Sequence, residues 1–302
     1  FHQAVLNLLV KTENPCQLVG EAFNESDSLP LLIKSNYRTA IFNFYLNKLI
    51  LCYLFNEHGQ GLQNAELAKL YLDGVTGNIV VPVYYFYDSM VRLAVYVDAD
   101  KSQQDALLKQ VTENQIKMQQ WAHHAPMNFL HKFYLVEAER QRILKENVEA
   151  MENYDRAISI AKQNEYIHEE ALANELAAKF YQAWGKEKIA SVYMNDARYC
   201  YTLWGSQAKV QDLSERYPEL LVSFRVDAIT NSHTITTMIS TSSTSIEIID
   251  LGAVMKASHA ISSEIVLDNL LAKMIKIIME NAGAEKGFIL TETAGQWVVE
   301  IA

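Results

Sequence analysis

The chain is short of the residues that punctuate or staple a fold: 302 residues include 11 glycines, 5 prolines and 3 cysteines. With so few helix breakers, long stretches are free to run as helix. The cysteines, Cys16, Cys52 and Cys200, lie far apart and are odd in number. That is neither a disulfide framework nor a ligand cluster, and it fits a reduced cytosol. Positive charge is also scarce. With 26 Lys and Arg against 36 Asp and Glu, the net charge is −10 and the pI about 5.3, which argues against a nucleic-acid binder. There is no Lys/Arg run to meet lipid headgroups. The very apolar stretch 40–55 is interrupted by Asn43, Asn47 and Lys48 and falls short of the roughly 20 residues that a membrane span requires. Nor does a basic segment followed by an apolar core and cleavage site open the chain. The expectation is a soluble, cytoplasmic protein with no nucleic-acid or membrane partner.

What is present is apolar surface. Half the residues are hydrophobic and 21% are charged, enough to bury a core in one large domain or two ordinary ones. From residue 1 to 219 the apolar residues recur at helical spacing. Pro30, Pro82, Pro126 and Pro218 sit between periodic stretches, where they can end or start helices. An internal repeat stands out: Ala150, Tyr154 and Ala157 recur forty positions later as Ala190, Met194 and Ala197. In the second unit Leu172, Leu176, Phe180 and Trp184 form one stripe, Gly185 breaks the helix, and Ala190, Met194, Ala197 and Tyr201 form the next. Small alanines at a close crossing and large aromatics between layers suit stacked helix pairs. Tyr181, Gly185, Ala190 and Ala197 follow the tetratricopeptide pattern in part, and Trp204 reads as a further packing position of the repeat. Asn174 stands where that repeat usually has Trp, and a period of 40 exceeds its usual ~34. Residues 37–72, around Gly59, look like a degenerate copy.

After Pro218 the character changes. Residues 230–245 are rich in Ser and Thr and lack helical period, as a linker does. Ile248, Leu251 and Met255 then fall at a/d-like positions, a short signalling helix able to pair with itself. Leu267, Leu270, Leu271, Met274, Ile275, Ile278 and Met279 mark an amphipathic helix stopped by Gly283. Phe288-Ile289-Leu290 and Trp297-Val298-Val299 flank Thr293-Ala294-Gly295-Gln296, a hairpin pattern. The chain opens on Phe rather than Met and stops at Ile301-Ala302 with that alternation still running, so we expect a piece of a longer polypeptide.

The motifs that would carry chemistry are incomplete. Gly185-Lys186-Glu187 has Glu where a phosphate loop needs Ser or Thr, and reads as a turn between helices. Gly59-Gln60-Gly61 lacks the third glycine of a dinucleotide loop. Asp250-Leu251-Gly252 has no catalytic loop before it. His123, His124 and His131, with Glu137, are the nearest approach to a metal-hydrolase cluster. Adjacent histidines point to different helix faces, and Pro126 interrupts the path. His168-Glu169-Glu170 lacks the rest of a phospho-acceptor box, and its acidic pair suits a first helical turn. Tyr84-Tyr85-Phe86-Tyr87 fits interlayer core better than a ligand groove. The residues therefore assign no catalytic, cofactor or metal role, and the repeat positions read as packing.

Three runs carry a resemblance. They are Trp121-Ala122-His123-His124-Ala125-Pro126-Met127-Asn128-Phe129-Leu130-His131, Glu169-Glu170-Ala171-Leu172-Ala173-Asn174-Glu175-Leu176-Ala177-Ala178, and Trp204-Gly205 through Lys209 to Tyr217-Pro218. They are similar to stretches of very large bacterial hybrid signalling kinases, and the similarity extends over nearly the whole chain. Those proteins join a serine/threonine kinase, an NTPase module, a tetratricopeptide-like region, a GAF domain and a sensor histidine kinase. Val254-Met255-Lys256-Ala257-Ser258, Glu264 to Asp268, Asn281-Ala282-Gly283-Ala284 and Gly287-Phe288 resemble the start of the GAF domain. The resemblance implies ATP and Mg²⁺ in the parent, outside this segment, and carries no catalytic or pocket residue onto it.

The expected architecture is mainly α. A tetratricopeptide-like α-solenoid of antiparallel helix pairs occupies 1–219, a linker and signalling helix 220–262, and a truncated α/β GAF start 263–302. The expected role is a non-catalytic scaffold and relay between an NTPase/kinase module and the GAF and histidine-kinase modules, with homodimer formation in view. A stand-alone protein-binding adaptor and a His-cluster metal hydrolase are the alternatives.

Overall fold

The computed structural model describes residues 1–221, 289–293 and 296–301. The chain divides into two compact units, Phe1–Arg225 and Val226–Ala302. The described part of the first is helical: α1 (His2–Leu9), α2 (Glu25–Lys34), α3 (Arg38–Leu54), α4 (His58–Lys69), α5 (Val80–Val95), α6 (Lys101–His124), α7 (Pro126–Leu144), α8 (Asn147–Gln163), α9 (Ile167–Ala183), α10 (Glu187–Trp204) and α11 (Gln207–Arg216). The expected helix pairs are present, with α3 and α4 filling residues 38–69.

One turn is used six times. Asn36, Asn56, Lys145, Glu165, Gly185 and Gly205 all have positive φ, between 49° and 85°. The residue after each sends its N–H five positions back: Tyr37 to Leu32, Glu57 to Cys52, Glu146 to Gln141, Tyr166 to Ala161, Lys186 to Tyr181 and Ser206 to Tyr201. This is the Schellman closure, which satisfies carbonyls orphaned at a helix end. The next helix then starts at once, from a residue with φ near −80 to −100° and ψ near +56 to +76°. The turn recurs every twenty residues within 36–56 and within 145–205, so two turns give the forty-residue repeat of α7–α8 and α9–α10.

The helices lie in two layers. α3, α5, α7 and α9 pack on one another in sequence and form the inner layer, each followed in the chain by an outer helix, α4, α6, α8 or α10. Burial follows position. On α9 the buried set runs almost without a break from Ala171 to Ala178, whereas α10 buries one stripe, Ala190, Met194, Ala197, Cys200 and Tyr201. Ala150, Tyr154 and Ala157 of α8 occupy the matching stripe. Aromatic side chains fill between helices: Tyr181 stacks on Tyr193 at 5.3 Å and Trp204 on His168 at 5.4 Å. Inner helices are buried or half-buried around most of their girth because both faces are covered. Outer helices need only one apolar face.

The first helix then returns to the last: α1 packs on both α3 and α11. Ser206 Oγ donates to the Leu8 carbonyl at 3.2 Å, and Lys11 pairs with Glu215 at 2.6 Å. The succession of packed helices therefore closes on itself through α11 and α1. Among the described residues no helix is long and apolar enough to cross a membrane.

The prolines divide. Pro126 opens α7 and Pro218 follows α11, but Pro30 lies inside α2 and Pro82 within the first turn of α5. Pro82 sits where its missing N–H would have no intrahelical partner. Pro30 forfeits one helical hydrogen bond in a short helix with no buried residue.

In the second unit β1 (Ile289–Thr293) and β2 (Gln296–Ile301) pair antiparallel, with Leu290 opposite Val299 and Thr293 opposite Gln296. The 230–245 linker, the Ile248, Leu251 and Met255 helix and the amphipathic helix at 267–279 lie outside the described residues.

Candidate binding cleft

The inner layer carries charge where its amphipathic pattern would call for apolar contact. Glu139 of α7 is 3% exposed. It accepts from the Tyr154 hydroxyl of α8 and from Arg142 Nε, one turn on, at 3.1 Å. Burial works to raise its carboxyl, but the Arg142 guanidinium and the Tyr154 hydroxyl together hold it below the usual range. Glu175 of α9 is buried more completely. Tyr201 of α10 donates to it at 2.9 Å, Lys179 at 2.6 Å and Lys209 of α11 at 3.0 Å. Burial opposes the charge here too, yet the Lys179 and Lys209 ammonium groups bring the carboxyl down to about 2.

These groups meet side chains from the far end of the chain. Lys179 Nζ reaches Asn56 Oδ1 at 3.2 Å, and the Arg216 guanidinium donates to the Phe55 carbonyl at 3.1 Å. Tyr53 of α3 is buried and feels both glutamates, its hydroxyl pushed well above its ordinary value by burial and by Glu139. Burial and the nearby Lys179 lower His58. Side chains of α3, α4, α7, α8, α9, α10 and α11 thus converge on one ionic hub, and its carboxylates are saturated by their own partners.

Beside the hub lies a cleft of about 520 Å³, lined by Tyr53, His58, Arg142, Lys179, Trp184 and Tyr217 among others. Its polarity is layered. Glu139 and Glu175 also line it but are only 4% and 2% exposed at the side chain, whereas Arg142 and Lys179 reach solvent at 30% and 25%. Exposed Lys145 adds a third cation, and Trp184, 40% exposed, supplies an apolar rim. An acidic chain thus presents a cationic and aromatic face here. The arrangement can hold an anionic group next to an apolar one.

The sequence-derived candidates are placed as follows. Ala150, Ala157, Ala190, Met194 and Ala197 are at most 1% exposed, and Tyr154 is fully buried. Gly185, at φ +75°, is the turn between α9 and α10. Tyr181 and Trp204 lie in aromatic contacts between α9 and α10, with Tyr193 and His168 respectively. The histidines do not converge. His123 and His124 touch edge to face at 5.2 Å, and Glu137 is engaged by Arg140 and Gln115. His131 is buried beside Lys132, with Glu169 3.9 Å away. Burial, then the Lys132 charge, lowers His131 to about 3, so it is neutral. Among the described residues no group of three or more His, Cys, Asp or Glu is arranged to hold a metal ion. Glu169, in the first turn of α9, pairs with Lys132 at 2.8 Å.

One feature was missed from the sequence. Nothing there marks Glu139 or Glu175 as buried, and only the Glu175/Lys179 spacing of four marks a pair. The three cysteines, Cys16, Cys52 and Cys200, are free and buried.

This is the geometry of a helical-repeat protein with an internal cleft. No protein-family model matches the chain, and no solved structure matches it. A curated protein that it is similar to is hybrid signal transduction histidine kinase G of Dictyostelium discoideum, 38% identical over 63 residues. Those residues are 21% of this chain and 2% of that protein, so the likeness covers only a small part of the relative's length. It points to signal transduction.

Proposed function

We propose that the chain is a non-catalytic scaffold and relay segment of a multidomain signalling kinase. On this reading the central cleft receives an acidic, partly apolar protein segment supplied by a neighbouring module. The likeness to a hybrid histidine kinase supports the signalling context. The observation that carries the role is the layering of the cleft wall, where the buried carboxylates of Glu139 and Glu175 are saturated by their own partners and Arg142, Lys145 and Lys179 reach solvent. Charges so disposed recognise a segment and fix its register. The a/d-like spacing of Ile248, Leu251 and Met255 supports a coupling helix towards a GAF and histidine-kinase output, on sequence grounds. ATP and Mg²⁺ would act in those other modules.

The test is Lys145→Glu with Trp184→Ala in the intact signalling protein, both being solvent-facing positions. Histidine autophosphorylation should change by about tenfold, the yield of a single lost charge-and-stacking contact, with circular dichroism unaltered. Unchanged output in a folded protein would defeat the relay reading. The same cleft also fits a segment from a separate protein, as an adaptor would use it. Cross-linking from Lys145 and Lys186 in the intact protein separates the two: the relay links to its own chain, the adaptor to another.

A further inference from the structure

The cations of the cleft are held from behind and keep hydrogens to spare. Arg142 gives Nε and Nη2 to Glu139, at 3.1 and 2.7 Å, which leaves Nη1 to donate elsewhere. Lys179 Nζ is 2.6 Å from Glu175 and donates to Asn56 Oδ1 at 3.2 Å, and an ammonium has a third hydrogen. Asn56 also lines the cleft, and its Nδ2 is buried with no hydrogen-bond partner among the described residues. A buried donor without an acceptor is costly. Charge is in surplus as well. The lining and the ion pairs behind it hold five cations, Arg142, Lys145, Lys179, Lys209 and Arg216, against the three carboxylates of Glu139, Glu175 and Asp212, an excess of two.

We propose that the cleft is a receptor for a phosphomonoester dianion, borne by a side chain of the segment that docks there. The chemistry belongs to the same cleft and rests on its reading as a docking site. A phosphomonoester brings close to two negative charges and three acceptor oxygens. These match the surplus charge and the donors that come from α7, α9 and the turn after α3. A carboxylate offers one charge and two oxygens, and a sulfate ester offers three oxygens but one charge. Either leaves a cation unmatched.

The surroundings suit that ligand. Glu139 and Glu175 fix Arg142 and Lys179 before the anion arrives, so little side-chain freedom is lost on binding. Each carboxylate is engaged by its own partners, Glu139 by Tyr154 and Arg142, Glu175 by Tyr201, Lys179 and Lys209, so neither leaves a bare charge to repel the phosphoryl oxygens. Trp184 at the rim, and Tyr217 with Lys179 over its ring at 5.8 Å, set an apolar wall beside the cations for the group that bears the phosphate. Asn56 holds a left-handed φ of 64°, a seat that asparagine and aspartate both tolerate.

The experiment is calorimetry on the full chain with phenyl phosphate, phenyl sulfate and phenylacetate as probes. Phenyl phosphate should bind about tenfold more tightly than either monoanion. Lys145→Gln, at an exposed position, should weaken it about threefold. Asn56→Asp keeps an acceptor for Lys179 and turns the orphaned donor into an acceptor. It should weaken phenyl phosphate by about tenfold, with circular dichroism unaltered. Equal affinity for the three probes, no binding of phenyl phosphate by the folded wild type, or full affinity in both variants would each overturn the proposal. Adenosine monophosphate binding about a hundredfold more tightly than phenyl phosphate would overturn it too, giving the cleft to a nucleotide. The relay fails separately. Phosphate preference as expected, with unchanged autophosphorylation in the Lys145→Glu, Trp184→Ala protein, would end the relay and keep the phosphate site. Altered autophosphorylation with no preference for phosphate would do the reverse.

Discussion

Lys179 Nζ lies 3.2 Å from Asn56 Oδ1, joining α9 to the turn after α3 across 123 residues of chain. The same ammonium is 2.6 Å from Glu175, which also binds Lys209 at 3.0 Å. One carboxylate thus balances cations from α9 and α11, and one of those cations reaches α3. The two partners are not equal. In Glu175→Gln, Lys179 loses its carboxylate and Lys209, whose side chain is 0% exposed, keeps only Asp212 at 3.0 Å, at a cost of about 3 kcal/mol. In Lys179→Met, Glu175 keeps Lys209 and Tyr201, and the loss should be nearer 1–2 kcal/mol. Urea midpoints of the two variants check the order. A larger loss for Lys179→Met would show that the hub does not turn on its carboxylate.

The six repeated turns predict stabilisation as well as loss. Glu165 and Lys145 hold left-handed φ of 62° and 65°, which costs a residue with a Cβ about 1–2 kcal/mol. Glu165→Gly removes that cost while adding freedom to the unfolded chain, for a net gain of about 0.5 kcal/mol. Gly205→Ala runs the other way. Its added Cβ would meet Leu9 only at an ordinary 3.9 Å, so the expected loss of about 1 kcal/mol is conformational. Thermal melts should move in opposite directions. A shift of the same sign in both would remove the left-handed turn as the cause.

The forty-residue repeat was legible because packing demands it: a close helix crossing needs Ala190 and Ala197 to be small, and Ala150 and Ala157 meet the same demand. The twenty-residue turn beneath it was not. Glycine occupies its left-handed seat at 185 and 205, but Asn36, Asn56, Lys145 and Glu165 hold it elsewhere, and those residues mark no turn on their own. Ring closure was hidden for another reason. Ser206 meeting Leu8 is a contact between residues 198 apart, and helical period carries only local information. The ionic hub belongs to the same class. The expected Ile248, Leu251 and Met255 helix lies outside the described residues.

Crossing distance gives the next prediction. Ala197 is 0% exposed on α10, where the helix packs on α9. Ala197→Leu should force the pair apart and cost about 1–3 kcal/mol. Met194→Ala, at a position equally buried, leaves a void in its place and should cost about 2–5 kcal/mol. Both losses should appear in denaturant midpoints. An exposed control, Val192→Ala at 61% exposure, should stay within about 0.5 kcal/mol of wild type. If all three behaved like the control, α10 would not pack through this stripe.

Acid should unfold the helical unit in two windows. Glu175 and Glu169 both have folded values near 2, against 4.5 for the free group. Their stabilisation is complete above the unfolded value and is lost as pH falls towards 2. His131 acts earlier. Its folded value is about 3 against 6.5, so below pH 6.5 the unfolded chain takes up a proton that the fold refuses. That stability is present above 6.5 and drains away down to about pH 3. Between pH 6 and 5 the carboxylates stay charged in both states, and His131 should contribute a slope of about 1 kcal/mol per pH unit. His131→Gln keeps a neutral polar side chain beside Lys132 and should remove that slope from about pH 6 down to about pH 3. The loss that comes from protonating Glu175 and Glu169 should remain in both proteins. Equal slopes from pH 6 to 5 would mean that His131 is protonated within the fold, which its burial beside the Lys132 ammonium, 2.9 Å away, opposes.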